Sequence, residues 1–263
     1  MATEDVTLTD LQSFMNKFHF KPKYAFRVGV EREFFLIDRT GMFVPRAVEI
    51  LNSVGNGDYG YELSACQVES RIGPLQIEGV KSHLESSHQR LKEATDRADL
   101  TLGYYEVAPE DLPLDVYPDP AGRYQQLVTT MPRDVLSAAC RVTGTHIHIG
   151  MPDHDTALRV YNYVRERTDE LIHLGDHSQG ERVRLYRVVA PSADPPRFDS
   201  WHDLHVCALQ MGFAEEPRNC WFFIRISKHG TIEFRLFGAT HDIDEIDCWA
   251  HRCHQLCLEG AAQ

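Results

Sequence analysis

The 263-residue chain is long enough for one large domain or two small ones, and 43% hydrophobic with 25% charged residues is an ordinary soluble composition. No apolar run reaches the ~18 residues of a membrane span, and the formal charge of -12 excludes a nucleic-acid binder that works through a basic face. Seven cysteines without regular spacing exclude a disulfide framework and leave reduced thiols as the expectation.

In chain order, the opening stretch MATEDVTLTDLQSF is acidic and lacks an apolar segment after a basic start, so a secretory signal is not expected and a cytoplasmic protein is. Phe26 to Ile37 and Tyr59 to Ile72 read as strands. Val80 to Leu102 reads as one long amphipathic helix, with Val80, Leu84, Leu91, Ala94 and Ala98 on its inner face. The Pro- and Asp-rich run Pro109 to Pro120 is a surface loop. A strand over Arg141 to Gly150 precedes a helix over Asp153 to Leu174, with Asp153 as its N-cap. Strands Trp221 to Ser227 and Thr231 to Phe237 and a helix over Asp242 to Leu258 complete the pattern. Several strands follow one another through short turns without βαβ alternation, which predicts an α+β fold. With no repeat and no flexible linker, residues 1–263 read as a single domain.

Polar residues interrupt these strands on a two-residue rhythm, which aims them at one face. Glu31 and Glu33 do so in GVEREFFLID; Gln67, Glu69 and Arg71 in CQVESR; His146 and His148 in GTHIHIG; Glu233 and Arg235 in TIEFRLF. A face turned simply to water carries mixed Lys, Thr, Ser and Glu. These faces repeat Glu, His and Arg, the inventory of a metal and phosphate site. Magnesium and manganese take carboxylate oxygens with an occasional imidazole, so Glu31, Glu33, Glu62, Glu69, Glu233 and His146 suit two or three such ions. Arg235 is then placed to hold a phosphoryl group bidentately.

The same segments resemble the glutamate-cysteine ligase type 2, or carboxylate-amine ligase, family of the glutamine synthetase superfamily. GVEREFFLID is similar to its first acidic strand, ELSACQVES to its second, RVTGTHIHIGMPD to its Gly-Thr-His-x-His segment and TIEFRLFGATHD to its late Glu-x-Arg strand, in the family's order from Gly29 to Asp242. The resemblance implies a curved, largely antiparallel sheet forming a funnel-shaped site flanked by helices. It implies metal ligation by Glu31, Glu33, Glu62, Glu69, His146 and Glu233, with Glu233 and Arg235 at the chemistry. His148 and Arg235 would contact the phosphates of ATP, and Arg141 and Arg187 a substrate carboxylate or the γ-phosphate. The activity implied is ATP-dependent joining of a small carboxylate, glutamate by default, to an amine through an acyl phosphate, with ATP and Mg²⁺ or Mn²⁺ as cofactors. Relatives often assemble, which implies a homo-oligomer, although the sequence shows no decisive interface signal. Compression between His173 and Trp201 implies a smaller lid and a bulkier acceptor than cysteine, such as a peptide or a biosynthetic intermediate.

The alternatives are phosphotransfer on the same scaffold, metal-dependent hydrolysis without ATP, or a non-catalytic binding or regulatory protein that kept the fold. Near the C-terminus, Cys248, Cys253 and Cys257 with His251 and His254 fit no zinc spacing, whereas Ile246, Trp249, Ala250, Cys253 and Cys257 form one apolar helical stripe. His83, His88, His202 and His229 read as surface residues, and Cys66 faces away from Gln67 and Glu69.

Overall fold

The computed structural model describes residues 8–55 and 57–263. The first seven residues of the acidic N-terminal stretch lie outside them. Among the described residues, seven strands form one sheet in which every pairing is antiparallel: β1 (Val28–Asp38), β2 (Tyr59–Tyr61), β3 (Gln67–Leu75), β4 (Leu100–Gly103), β5 (Thr145–Gly150), β6 (Ile224–Ser227) and β7 (Thr231–Phe237). The order is β2-β3-β1-β5-β7-β6, with β4 also on β1. β1 pairs with β3 along one edge. Its other edge is divided, Val28 to Arg32 on β5 and Phe35 to Asp38 on β4.

One face of the sheet is covered by α3 (Val80–Arg97), α6 (His154–Val164) and α10 (Ile243–Ala261). Val28, Val30, Ile147, Ile149, Ile232 and Phe234 bury toward the core shared with these helices. Asp153 caps α6 by accepting the Thr156 amide at 2.7 Å, and Asp242 caps α10 through the Asp244 amide. The stripe Ile246, Trp249, Ala250, Cys253 and Cys257 is buried, with the Trp249 ring stacked on Phe237 at 4.9 Å. A second cluster gathers around Phe34, Leu36, Val68, Leu91 and Leu100.

Several boundaries differ from the sequence expectation. Tyr59 to Ile72 is a hairpin, because Ser64 and Ala65 turn away to bond the 113–116 segment. The α3 helix stops at Arg97; Asp99 takes a positive φ of 58° and the chain reverses into β4, which had read as helix. Arg141 closes a helix, α5 (Arg133–Arg141), where a strand was expected, and Asp153 to Leu174 divides into α6 and α7 (Thr168–Gly175). The remaining helices are α1 (Leu8–Met15), α2 (Ala47–Val54), α4 (Arg123–Val128), α8 (Glu181–Val189) and α9 (Trp201–Met211). His83, His202 and His229 are exposed, but His88 is half-buried beside Phe34 and Tyr104, where burial pushes its pKa down to about 4. No helix among the described residues is long and apolar enough to cross a membrane.

Candidate functional site

Strand register assembles the site. Glu31 stands opposite His146 across β1 and β5, and His148 opposite Glu233 across β5 and β7. Directly opposed residues on antiparallel strands have Cβ atoms about 5 Å apart, so three strands deliver their polar ends to one place. His146 Nδ1 lies 3.4 Å from Glu31 Oε2 and its Nε2 3.6 Å from Glu33 Oε1, while His148 Nε2 is 3.4 Å from Glu31 Oε2. One ligand atom each from Glu31, His146 and Glu233 falls within 4.8 Å of the others. On the far side, β1 and β3 set Glu33 opposite Glu69, and Glu62 follows directly after β2. All five glutamate positions belong to one polar centre, a cavity of ≈ 220 Å³ whose wall includes Glu31, Glu33, Glu62 and Glu69 with Arg225 and Arg235 beside Glu233.

Glu233 is clamped. Arg225, its cross-strand partner, donates Nε to Oε2 at 2.7 Å and Nη2 to Oε1 at 2.9 Å, and Arg235 donates Nη1 to Oε1 at 2.5 Å. Burial would raise the Glu233 pKa, but Arg225, His148 and Arg235 together hold it far below the ordinary carboxylate range. Arg235 also donates Nε to the Tyr186 hydroxyl at 3.1 Å and lies 5.4 Å over the Trp221 ring, contacts that fix the plane of its guanidinium.

Charge is distributed unevenly across the cavity. Glu31 is half-buried; loss of water around it would raise its pKa, yet His148 and His146 hold it down. Glu62 and Glu69 go the other way: burial raises both, the negative charges of Glu33 and Glu31 add to it for Glu62, and those of Glu31 and Glu62 for Glu69. Carboxylate oxygens with one imidazole are the donor set of a hard divalent cation. The Nε2 of His148 is buried without a hydrogen-bond partner among the described residues, aimed at the same group of acids. The residues therefore fit such an ion.

The raised pKa values carry a sign. Between the ordinary carboxylate range and the folded pKa, the folded protein holds protons that the unfolded chain has lost, so stability falls as pH rises through that interval. Glu62→Gln is expected to stabilise the cation-free protein at neutral pH by about 1 kcal/mol or more, roughly 2–4 °C in melting temperature per kcal/mol. The gain should vanish below the ordinary carboxylate range. Melting in chelator at several pH values checks this, and a midpoint unchanged or lowered at neutral pH would refute it.

Backbone geometry supports the cluster at two points. Between Thr145↔Phe237 and Ile147↔Phe234 the register of β5 and β7 shifts, leaving one extra residue on β7 at Arg235 and Leu236. Such a bulge re-aims side chains and leaves backbone groups unpaired. Arg182 of α8 fills the gap: it is 2% exposed and donates Nε to Thr143 O at 2.7 Å, Nη1 to Leu236 O at 3.1 Å and Nη2 to Arg235 O at 3.1 Å. A side chain at Gly144 would overlap this guanidinium, and the Gly144 amide donates to Glu33 Oε2 at 2.7 Å. At the second point, a Cβ on Gly60 of β2 would stand 2.9 Å from Glu69 Oε2 and 3.0 Å from the Arg71 guanidinium. Both neighbours are side-chain ends rather than backbone. Gly60→Ala is expected to change stability by less than about 1 kcal/mol while displacing Glu69 and Arg71 and lowering turnover about tenfold; unaltered turnover would argue against Glu69 in the chemistry.

The structure brings Glu31, Glu33, Glu62, Glu69, His146, His148, Glu233 and Arg235 together and leaves two predicted residues outside. Arg141 is buried with its Nε on Ala108 O at 2.8 Å, because it ends α5 rather than opening a strand. Arg187 lies on the exposed side of α8 and pairs with Asp194 at 2.8 Å. The compressed 173–201 region is a wall made by α8, which presents Arg182 and Tyr186 one turn apart. Sequence reasoning missed Arg225, Arg182, Tyr186 and Arg123. Arg225 had a signal, since the short turn between two predicted strands sets it opposite Glu233; Arg182 had none.

Two larger cavities abut the cluster. One, ≈ 950 Å³, reaches Glu31, His148 and Arg71 and is walled by Phe18, Phe20 and Tyr24. The other, ≈ 650 Å³, meets the cluster at Glu62 and Glu69 and is lined by four tyrosines, Tyr59, Tyr61, Tyr117 and Tyr124.

A profile of glutamate-cysteine ligase family 2 (GCS2) matches residues 27–173. A Rhodococcus jostii protein bearing the name glutamate-cysteine ligase 2-1 is 31% identical over 230 residues, covering 80% of this chain; the chain spans 61% of that relative's length. Ligand-free GmaS superposes with a TM-score of 0.54 at 13% identity, over 96% of this chain and 57% of that one. A bifunctional glutathione synthetase from Pasteurella multocida does so with a TM-score of 0.54 at 12% identity, over 98% and 42%. These two likenesses show the fold.

Proposed function

Because the chain belongs to glutamate-cysteine ligase family 2, we propose that it joins a carboxylate to an amine at the expense of ATP. The observation that carries this reading is the convergence of Glu31, His146 and Glu233 from three adjacent strands, with Arg225 and Arg235 fixed beside them. Acyl transfer from a carboxylate at neutral pH requires activation, and phosphorylation by ATP supplies a leaving group. The carboxylate oxygen bonds to the γ-phosphorus as the bond to ADP breaks; the amine then bonds to the acyl carbon, phosphate departs, and an amide remains. No side-chain nucleophile is needed.

Glu31, His146 and Glu233 would hold one Mg²⁺ or Mn²⁺, and Glu33, Glu62 and Glu69 a second. A bound cation supplies charge neutralisation on phosphoryl oxygens. Arg235, held in plane by Tyr186 and Glu233, meets the transferring group with donors already oriented. The ≈ 950 Å³ cavity suits the nucleotide: His148 and Arg71 lie at its inner end, Lys21 and Arg27 add positive charge, and aromatic rings offer a surface for the base. The ≈ 650 Å³ cavity approaches from the opposite side and brings the amine to the edge of the acidic centre at Glu62 and Glu69; the proton the amine loses leaves with the departing phosphate.

The test is ADP release from ATP and Mg²⁺ by purified protein, against mixtures of carboxylates and amines, with amide product followed by mass spectrometry. ADP that requires both a carboxylate and an amine supports ligation. Phosphorylated carboxylate without amide would indicate phosphotransfer instead.

A further inference from the structure

The tyrosine-lined cavity is built rigidly, and its chemistry goes beyond what a small aliphatic amine would need. Asp119, buried in the loop before α4, accepts from the Tyr61 hydroxyl at 2.8 Å, the Ala121 amide at 3.0 Å and the Arg123 amide at 3.0 Å. Gln125 donates to Tyr117 O at 2.7 Å. Tyr61 stacks on Tyr117 with ring centroids 4.4 Å apart and 5° between planes, and Tyr124 stands edge-on to Tyr61 at 5.8 Å. The loop and β2 are thereby locked into one aromatic wall. At ≈ 650 Å³ the space falls within the ~300–1,000 Å³ range of drug-sized ligands, well above the needs of a single small amino acid.

Arg123 sits where this cavity narrows into the acidic centre and lines both. Neighbouring arginines are neutralised: Arg218 pairs with Glu216 at 2.6 Å and Arg71 with Glu69 at 3.4 Å. Arg123 instead donates to a neutral amide, Asn219 Oδ1, at 3.2 Å and lies 5.6 Å over the Tyr124 ring. Its backbone amide is held by Asp119, but among the described residues its guanidinium has no carboxylate within ion-pair distance. A half-buried guanidinium without a counter-ion, at the junction of an aromatic cavity and a reaction centre, calls for an anion on the ligand.

We infer that the acceptor is an amine carrying both an aromatic ring and a carboxylate: the ring occupies the tyrosine cavity, the carboxylate binds Arg123, and the amine faces Glu62 and Glu69. This assignment rests on the ligase reading above and makes Arg123 a specificity-determining residue. The chemistry matches an aromatic amino acid or a short peptide that ends in one.

The test is calorimetric titration of L-phenylalanine, phenethylamine and L-alanine onto the full chain with Mg²⁺ and a non-hydrolysable ATP analogue, for wild type, Arg123→Gln and Arg123→Lys. Wild type should bind phenylalanine about tenfold or more tightly than either other probe, since one lacks the carboxylate and the other the ring. Arg123→Gln should erase the gap between phenylalanine and phenethylamine while the preference for a ring remains, and Arg123→Lys should restore part of it. Equal affinities, no binding of phenylalanine, or an Arg123→Gln profile like wild type would overturn the inference; melting curves verify that each variant is folded. ADP release measured in parallel separates the two readings. Binding as expected with no ADP released from any carboxylate and phenylalanine mixture would sink both the ligase reading and the acceptor role. Turnover with cysteine or alanine and no affinity for phenylalanine would overturn the acceptor class alone.

Discussion

Glu233→Gln is expected to reduce amine-dependent ADP release about a thousandfold or more, the scale on which removal of a preorganised charge at a reaction centre acts. The amide keeps the shape of the side chain but removes the charge shared by Arg225 and Arg235, and one of its two ends becomes a donor facing donors. Two guanidiniums brought together by a carboxylate then repel each other in a site shielded from water, which should also lower stability by about 2–4 kcal/mol. Steady-state rates with thermal melting check both halves. A variant that retains turnover within a few-fold of wild type would remove Glu233 from the mechanism. A variant that loses turnover but melts like wild type would show that the arginines have relaxed toward Glu31 and Glu33, so that the clamp matters for chemistry alone.

The second large effect is expected at Arg182. Replacement by Met keeps most of the aliphatic volume but strands the carbonyls of Thr143, Arg235 and Leu236 in the interior. Each orphaned buried acceptor costs about 1–3 kcal/mol, and relaxation recovers part of that, so a loss of about 3–5 kcal/mol is expected. Denaturant unfolding at equilibrium measures it. A loss below about 1 kcal/mol would mean that water or a shifted backbone satisfies the bulge, and that Arg182 serves the cavity rather than the sheet. Arg182→Lys should recover little, because one ammonium cannot span the Thr143 carbonyl before β5 and both carbonyls of the β7 bulge.

The contrast between these residues explains what could be read in advance. Glu31 and Glu33, His146 and His148, and Glu233 and Arg235 each announce themselves by two-residue spacing inside an apolar strand, and the pleat alone aims each pair at one face. That they share a single face follows from register, which adjacent motifs only suggest. Arg182 belongs to a helix whose charged residues Glu181, Arg184 and Arg187 are exposed, so nothing in RVRLYRVV distinguishes the one arginine that turns inward. The resemblance offers Arg141 and Arg187 for a carboxylate or phosphate, but a helix end and an exposed helix face take them elsewhere. The β4 strand was hidden because its four residues continue the helical pattern of α3, and only the reversal at Asp99 separates them. The tyrosine wall combines side chains 59 to 124, brought together by a loop whose sequence indicated only a loop.

The divided edge of β1 also has a bearing on how the molecule assembles. Local hairpins, β2 with β3 and β6 with β7, can close early, whereas Glu31 meets His146 across more than a hundred residues and His148 meets Glu233 across more than eighty. Contacts of such separation form late on a folding route, because loop closure must precede them. In the unfolded chain the five glutamates are dispersed and their mutual repulsion is weak; four of them meet when β1 pairs with β3, and the histidines and Glu233 join them only when β5 and β7 close on β1. A cation that recognises only the closed cluster has little to hold in a transition state where that closure is incomplete. Its stabilisation would then act by retarding unfolding, so that the loaded protein is long-lived rather than quick to form.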